Sequence, residues 1–392
     1  MDAGLPSLPM DAQRQQLIDA VRSAAADGRQ LRLRGGGTKD FWGAPLQGEV
    51  LDTRAYAGII SYEPSELVVT ARCGTPLAEL EAALAEHGQC LPFEPPHFGT
   101  GATLGGMVAA GLSGPARASV GAVRDFVLGV RMVNGRGEDL SFGGQVMKNV
   151  AGYDVSRLLA GSWGTLGVIT EVSLKVLPVA PAEATLMCAG IGQSAALDLL
   201  HRWGGQPLPL NASAWVHDTT AQPGDDYLFV RLRGAVAAVE SAVTRMSADA
   251  QTLGARVTLM DNAEAAADWR ASGEQALQFF ESPAADLCLW RLSLPQTAPV
   301  LDLPYPQYIE WQGAQRWLWA PATTVGVLRQ AAQRAGGHAT LFRASRSATA
   351  DGASDKAVGV SMPLDAVQQR VQRELQKQFD PQGVFATGRM GF

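Results

Sequence analysis

The sequence has few charged residues and no sustained basic run, and both scarcities exclude classes of partner. Asp, Glu, Lys and Arg make up 18% of the 392 residues, whereas about 25% is usual for globular proteins. The 32 basic and 38 acidic residues give a net charge of −6. No stretch could neutralise a row of nucleic-acid phosphates. We therefore expect a small molecule or another protein, and not a nucleic acid, as the partner.

Cysteine is equally scarce, and no apolar run is long. The four cysteines, Cys73, Cys90, Cys188 and Cys288, form no C-x-x-C pair, which argues against zinc, iron–sulfur ligation and a disulfide framework. No stretch approaches the roughly 18 apolar residues of a membrane span, and the first residues show no apolar signal core. We expect a cytoplasmic protein, or one attached to a membrane only through something else.

Glycine, by contrast, is abundant, and its distribution divides the chain. Sixteen of the 73 residues from Pro95 to Gly167 are glycine, a density that weakens helices and strands unless the backbone approaches a ligand closely. Beyond Pro178 the glycines thin out and seven of the nine tryptophans occur. We therefore predict a domain boundary at 177–181. Residues 1–177 form the first predicted domain, 182–355 the second, and 356–392 a C-terminal helix and tail.

Periodicity predicts alternating helices and strands in both halves. In the first half the predicted helices are 11–26 and 76–86, the latter capped by Thr75, and the predicted strands are 31–34, 66–71, 126–133 (turning at Asn134-Gly135) and 167–177. In the second half the predicted strands are 227–232, 257–260, 287–294 and one at Trp215, and the predicted helices are 195–203, 236–250, 323–335 and 364–378. This pattern predicts an α+β fold whose second domain is an antiparallel sheet with helices on one face.

Two glycine loops are the strongest local pattern. Residues 34–39 read R-G-G-G-T-K directly after a predicted strand, and residues 99–106 read G-T-G-A-T-L-G-G, with the last two glycines opening a helix. Successive glycines expose several amides to one anion, and a helix N-terminus adds the positive end of its dipole. Either loop alone is equally consistent with a tight turn, but the two together suit a diphosphate.

Two further blocks follow in order, namely S-V-G-A-V-R-D at 119–125 and a segment at 148–170 that includes K-N-V-A-G-Y-D and G-S-W-G-T-L-G-V-I-T. With the glycine loops they resemble the FAD-binding domain of the vanillyl-alcohol oxidase and p-cresol methylhydroxylase superfamily. Nearly the whole chain is similar to the FAD-binding E subunits of bacterial glycolate oxidases. The resemblance implies a p-cresol methylhydroxylase-type FAD-binding domain followed by a cap domain.

The resemblance also assigns the residues that surround the cofactor. The implied FAD-binding residues are Arg34, Gly35, Gly36, Gly37, Thr38, Lys39, Gly43, Gly99, Thr100, Gly101, Thr103, Leu104, Gly105, Gly106, Gly111, Gly121, Asp125, Gly161, Gly164, Gly167, Val168 and Ile169. Members that attach flavin covalently often carry a histidine where Thr38 stands, and no cysteine lies between His97 and Gly106. We therefore expect non-covalent FAD.

Catalytic candidates are scarce. Relatives that oxidise 2-hydroxy acids place closely spaced histidines and a carboxylate in the second domain, whereas the histidines of that domain here are isolated. We take His338 as the candidate acid–base group, with a structural role as the alternative, and Arg343 as the candidate partner of a substrate carboxylate. Three other arginines compete with Arg343, namely Arg231, Arg233 and Arg291. We predict no metal site.

The sequence leaves two structural roles open, that of the tryptophans near Gly313 and that of the C-terminal segment. Trp311, Trp317 and Trp319 belong either to the core or to a subunit interface. The ending from Phe379 to Arg389 resembles the family's C-terminal return, which packs on the FAD domain near the flavin, and a plain helix stop and tail is the alternative.

Three functions are compatible with this sequence. The first is the FAD-binding subunit of a heteromeric glycolate (2-hydroxy-acid) oxidase, active with a larger homologous flavoprotein and an iron–sulfur protein. The second is a non-catalytic structural or electron-relay subunit of that complex. The third is a stand-alone FAD-dependent D-2-hydroxy-acid dehydrogenase. The isolated histidines favour the second over the third.

Overall fold

A computed structural model describes residues 10–144, 153–220, 223–349 and 352–391. The predicted FAD block at 148–170 therefore lies partly outside the described residues. In the described part, the strands form two separate main sheets, one from each half of the chain.

The first half contains an antiparallel five-stranded sheet in the order β3-β4-β8-β6-β7 and two small strand pairs, β1–β2 and β5–β9. Its strands are β1 (Leu31–Arg34), β2 (Glu49–Asp52), β3 (Ile59–Glu63), β4 (Val68–Arg72), β5 (Gln89–Cys90), β6 (Val127–Val133), β7 (Asp139–Gly143), β8 (Val168–Lys175) and β9 (Leu177–Pro178). Its helices are α1 (Met10–Asp27), α2 (Leu77–Ala85), α3 (Leu104–Ala110), α4 (Arg117–Val120), α5 (Val123–Phe126) and α6 (Val155–Leu158). Apolar side chains of α2 and α3 form one core with those of β6 and β8.

The second half forms one antiparallel eight-stranded sheet in the order β13-β10-β12-β11-β15-β16-β14-β17. Its strands are β10 (Ala182–Ala189), β11 (Leu210–Asp218), β12 (Asp225–Gly234), β13 (Arg256–Leu259), β14 (Cys288–Ser293), β15 (Gln307–Glu310), β16 (Gln315–Ala320) and β17 (His338–Arg343). The helices beyond β10 are α7 (Gln193–Gly204), α8 (Val236–Gln251), α9 (Asn262–Gly273), α10 (Val325–Arg334), α11 (Ala353–Lys356) and α12 (Ala366–Phe379).

Strand alternation gives the large sheet two apolar faces. Along β16, Leu318 joins the core under α10, whereas its neighbour Trp317 joins a different cluster that contains Trp42 of the first half. Helices α7 and α8 cover the first face at the other end of the sheet. Helix α9 packs in the cluster of the opposite face through Trp269. The second face therefore faces the first half of the chain.

The predicted α+β class with an antiparallel cap sheet is confirmed, and most predicted elements differ from the observed ones by a few residues at their ends. The elements that were not predicted include strands β2, β3, β5, β9, β10, β15 and β16 and helices α4, α5, α6, α9 and α11. The domain bounds 1–177, 182–355 and 356–392 stay a prediction, which the change from one sheet to the other between β8 and β10 favours.

One local prediction was wrong, and another was only partly right. Thr75 does not cap α2, because its hydroxyl accepts a hydrogen bond from the amide of Gly58 (2.9 Å), and Pro76 occupies the cap position. The hairpin between β6 and β7 does turn at Asn134-Gly135, as predicted, but a two-residue turn there is too short. It closes with the amide of Asn134 bonded to the carbonyl of Glu138, and the left-handed residue is Gly137 (φ +70°).

Polar contacts join the two halves. The Glu94 carboxylate binds the buried guanidinium of Arg231 and that of Arg233 on β12, each at 2.7 Å. The Glu274 carboxylate after α9 accepts the amides of His97 and Phe98, both at 2.7 Å. These contacts fix the loop that precedes residues 99–106.

Candidate functional site

The first glycine loop lines a cleft together with the end of the second loop and the C-terminal segment. Residues 31–40, Thr103, Gly106, Trp163, Gly164 and Arg389 are among its walls. Parallel pairing of β1 with β2 carries the chain into the loop. Within the part of the chain that the structure describes, the amides of Gly36, Gly37 and Thr38 make no hydrogen bond to the protein. They are available to an anion.

The cleft has an excess of positive charge. Arg32, Arg34, Lys39 and Arg389 line it, and the carboxylate among its walls, Asp40, is already bonded by Arg34 at 2.8 Å. Among the described residues, the buried Nε of Arg32 and Nη1 of Arg389 have no hydrogen-bond partner. Such orphaned donors in a protein interior call for an acceptor from elsewhere. The cleft thus fits a polyanionic group.

Burial also makes two of these cations, Lys39 and Arg389, easier to deprotonate. It lowers the pKa of Lys39 to about 8, against the opposing charge of Glu274. It lowers the pKa of Arg389 to about 10. The shifts mean that the folded protein holds these charges away from water without a full counter-charge, which a bound anion would supply.

The second loop contributes less than predicted. The amides of Leu104 and Gly105 donate to the carbonyls of Thr75 and Cys73 (2.9 and 2.8 Å), and that of Gly106 reaches the Thr103 hydroxyl (3.3 Å). The prediction that the start of this helix offers free amides is therefore wrong, because the chain itself occupies them. The Leu104 side chain lies in the core, and only Thr103 and Gly106 of this helix start line the cleft.

The exposed tip of the second loop, Gly99 to Gly101, lies against the first loop. A Cβ on Gly36 would overlap the carbonyl of Gly101, at 1.5 Å. A Cβ on Gly99 would lie 3.4 Å from the Thr38 side chain. Glycine at these positions allows the two backbones to touch, so the structure brings the two predicted loops together.

Of the other predicted cofactor residues, some lie at the cleft and the rest lie away from its walls. Gly43 has φ +89° and leaves room for the Arg389 side chain, Gly164 lines the cleft, and Gly111 packs against Gly161 at the end of α3. Asp125 accepts the amide of Ala122 beside Gly121. The remaining three lie at the β8 end of the fold, where the side chains of Val168 and Ile169 are in the core and Gly167 contacts β6. These could contact a ligand only through their backbone.

The two predicted catalytic residues lie apart. His338 begins β17 and is exposed, whereas Arg343 ends it, which separates them by roughly 16 Å at the usual rise of an extended strand. The Arg343 guanidinium binds the Gln275 side chain (2.9 Å) and lies 4.2 Å from the centre of the Phe41 ring. Burial lowers its pKa to about 10. Arg343 thus faces the first loop, and His338 does not share that position.

Of the competing arginines, Arg231 and Arg233 are held in the ion pairs with Glu94. Arg291 is different. Its guanidinium lies over the Trp42 ring, and its buried Nε has no partner among the described residues. It lines a small interdomain pocket together with Phe98 and Phe342. This pocket also contains a residue that the sequence did not indicate, Glu310.

Glu310 is a buried carboxyl at the end of β15. It accepts hydrogen bonds from the Trp317 indole (2.7 Å), the Gln315 amide (2.9 Å) and the Ser272 hydroxyl (3.1 Å). Burial raises its pKa, and the three donors oppose that shift. No sequence motif surrounds Glu310, because its partners come from separate elements. Trp311 and Trp317 are buried too, and Trp319 lies half-buried on the same strand as Trp317.

Comparison with known proteins supports the cofactor assignment. Residues 12–143 match the family described as FAD binding domain. The chain is 44% identical to glycolate oxidase subunit GlcE of Escherichia coli (strain K12) over 376 residues, which are 96% of this chain and 97% of that protein. It is 32% identical over 156 residues to glycolate oxidase subunit GlcD of Bacillus subtilis (strain 168), covering 39% of this chain and 33% of that protein.

More distant likenesses agree. D-lactate dehydrogenase (cytochrome), mitochondrial, of Arabidopsis thaliana is 32% identical over 145 residues, 37% of this chain and 25% of its own length. The solved structure of alkyldihydroxyacetonephosphate synthase superposes with a TM-score of 0.67 at 15% identity and covers 94% of this chain and 73% of its own, which shows a shared fold. Because the identity to GlcE extends over almost the whole of both proteins, this chain belongs to the GlcE family of glycolate oxidase subunits and carries an FAD-binding domain.

Proposed function

We propose that this chain is the FAD-binding subunit of a heteromeric glycolate oxidase and takes part in the oxidation of glycolate to glyoxylate. The observation that carries the proposal is the 44% sequence identity to GlcE over nearly the full length of both proteins. The cleft with its unpartnered arginine nitrogens supports it, because a diphosphate is the group that such a donor set would bind.

The residues of the cleft divide the task of holding FAD. The free amides of Gly36, Gly37 and Thr38, with Arg32, Lys39 and Arg389, would hold the diphosphate. FAD, when bound, would accept a hydride from the α-carbon of a 2-hydroxy acid. Thr38 has no nucleophilic nitrogen to offer the flavin, so we propose that the attachment is non-covalent.

The chain offers cations for a substrate carboxylate but no well-placed base. Arg343 and Arg291 are buried guanidinium groups without a carboxylate partner among the described residues, and both face the first half of the chain. His338, the predicted acid–base group, is distant from Arg343, although partial burial and the charge of Arg291 lower its pKa. This separation favours the second candidate function, in which the chain relays electrons and the substrate is oxidised on another subunit.

We propose that the partners are a larger homologous flavoprotein of the GlcD kind and an iron–sulfur protein. The four cysteines are dispersed, and among the described residues no group of three His, Cys, Asp or Glu side chains could hold a metal ion. Electrons on a flavin here would therefore leave through another protein. We place the chain in the cytoplasm, with membrane contact only through partners. No helix in the described ranges is long and apolar enough to cross a membrane.

The test uses the chain purified alone. Acid precipitation should release the yellow flavin into the supernatant, whereas colour that stays with the denatured polypeptide would contradict non-covalent attachment. Stopped-flow absorbance with excess glycolate should then show little or no flavin bleaching until the GlcD-like and iron–sulfur partners are added. Rapid bleaching by the single chain would instead establish a self-sufficient enzyme.

A further inference from the structure

The second domain contains a large cavity that shares no lining residue with the cleft. Its volume is about 790 Å³, and all of its walls come from residues between Thr185 and Trp319. The cavity opens to solvent on one side, and ligand sites of small molecules typically measure about 300–1,000 Å³. A two-carbon hydroxy acid would fill only a small part of this space.

We propose that this cavity is a separate binding site for a largely apolar ring compound that carries no negative charge. The walls are mainly aromatic and aliphatic. Their rings are Phe229, Trp269, Phe279, Tyr305, Tyr308 and Trp319. Aromatic walls of this kind favour stacking and edge contacts with a flat ligand.

The charges around the cavity exclude an anion. Asp218, Asp268 and Glu281 are among the lining residues, and none of the described residues that line the cavity is a lysine or arginine. The histidine at the mouth, His217, is held by Asp226 at 2.7 Å. A carboxylate or phosphate would meet only like charge here, so the site differs in kind from the cationic cleft.

The floor of the cavity supplies a hydrogen-bond donor. The Trp269 indole N–H donates to the hydroxyl of Thr185 (3.0 Å), so that hydroxyl can still donate its own proton to a hydrogen bond. Among the described residues it has no acceptor, and Thr185 is buried. A ligand carbonyl or ether oxygen would satisfy it.

A second polar chain closes the floor toward the first half of the molecule. The Tyr308 hydroxyl bonds that of Ser272 (3.0 Å), which donates to the buried carboxyl of Glu310 (3.1 Å). Behind it, Phe280 and Trp317 fill the space toward Phe342 with edge-on ring contacts. The polar groups among them satisfy one another's hydrogen bonds. Together with the rings they form a wall between the cavity and the interdomain pocket that contains Arg291.

The test compares two probes with the same ring system. N-phenylnaphthylamine is neutral, whereas anilinonaphthalene sulfonate adds one negative charge. The purified flavin-containing chain should bind the neutral probe saturably, one per chain, and the sulfonate at least about tenfold more weakly, a difference of about 1.4 kcal/mol. Flavin content should be unchanged at saturation. Equal affinity for both probes, or release of flavin by the neutral probe, would overturn the proposal.

Two variants locate the site. Val216→Trp and Met260→Trp each place an indole into the cavity from a partly exposed position, and each should weaken binding of the neutral probe at least about tenfold. Val236→Trp is the matched control, since this exposed residue begins α8 on the opposite face of the sheet. Circular dichroism identifies any variant that fails to fold, and unchanged probe binding in either folded cavity variant contradicts the site.

Discussion

At the scale of single residues, the cleft depends on cations that are buried without full counter-charges. Lys39 points its ammonium to the carbonyl of His97 (3.1 Å), beside the Phe98 ring. Arg389 reaches the carbonyl of Lys39 (2.8 Å) and leaves Nη1 unpartnered. Neutral carbonyls offset only part of the desolvation of a cation, so an anionic ligand and these side chains stabilise each other.

The lowered pKa of Lys39 predicts a pH-dependent affinity for FAD. Lys39 is charged below its pKa of about 8 and neutral above it, so the dissociation constant of FAD should rise as the pH increases from 7 to 9.5. Flavin fluorescence titration measures it. Lys39→Arg keeps its charge throughout this range and should remove the dependence, whereas an identical pH profile in this variant would show that another group is responsible.

Gly105 and Gly106 are adjacent but should respond differently to substitution. A Cβ at Gly105 would lie 2.6 Å from the Cβ of Cys73, so Gly105→Val should lower the free energy of unfolding by about 1–3 kcal/mol through overpacking. Gly106 lines the cleft, where its nearest neighbour is the Thr103 hydroxyl at 3.1 Å. The added side chain of Gly106→Val should therefore obstruct the cleft and weaken FAD binding at least about tenfold, with little loss of stability.

Thermal unfolding and flavin content separate these two outcomes. Gly326→Ala serves as the control, since nothing lies within 4 Å of a Cβ at that helical position. Wild-type flavin content in Gly106→Val would remove the second loop from the site.

At the scale of secondary-structure elements, irregularities direct side chains toward the contact between the two halves. The pairing of β14 with β17 shifts register between Leu289 and Trp290, so that Phe342 is an extra residue on β17. A bulge of this kind turns two consecutive side chains to one face. Phe342 and Arg343 consequently both contact Phe41 of the first half, which regular alternation would forbid.

The ion pairs of Glu94 should carry much of the stability of this contact. Glu94→Gln leaves the guanidinium of Arg231, only 2% exposed, without its counter-charge. Removing one partner of a buried pair costs about 3–5 kcal/mol. Urea denaturation of the variant at neutral pH should show that loss. A double variant, Glu94→Met with Arg231→Met, should recover part of it, because no unpaired charge then remains at the Arg231 position.

The same carboxylate predicts sensitivity to acid. Arg231 and Arg233 hold the pKa of Glu94 below its ordinary value although burial opposes them. Its contribution is therefore complete above the ordinary pKa of a glutamate and is lost as the pH falls through the lowered value. Stability of the wild type should decline more steeply with acid than that of Glu94→Gln, and parallel curves would contradict this role.

At the scale of the whole molecule, the C-terminal segment completes the first half of the chain. Val384 and Phe385 lie in one cluster with Leu17 and Val21 of α1. The amide of Leu31 in β1 donates to the carbonyl of Val384 (2.7 Å). Arg389 then reaches the cleft. These contacts favour the predicted return of the chain over a plain tail.

Truncation of one ring in this segment should affect stability and cofactor together. Phe385 is fully buried and also lines the cleft. Phe385→Ala should lower the free energy of unfolding by about 3–5 kcal/mol and reduce the flavin content of the purified chain. Val367→Ala, at a position that is 62% exposed on α12, should change neither measurably. Full flavin retention in Phe385→Ala would separate the return segment from the site.

Local sequence was sufficient to determine the α+β class, about half of the regular elements and the first glycine loop. Amphipathic periodicity can be read from consecutive residues, as in α8 and β12. Runs of glycine likewise predict loops without any information about what packs against them. Sequence similarity to relatives added the cofactor. Neither source could place residues whose role depends on partners from other elements.

Only the tertiary structure decided which donors are free and which side chains meet. Whether the amides of residues 104–106 are available depended on acceptors at Cys73 and Thr75. Glu310 became a buried carboxyl through donors on α9 and β16, and a bulge turned Arg343 toward the first loop while His338 stayed at the far end of β17. Such contacts join residues far apart in the chain, and hydrogen bonding and burial are decided by that packing, which no local pattern records.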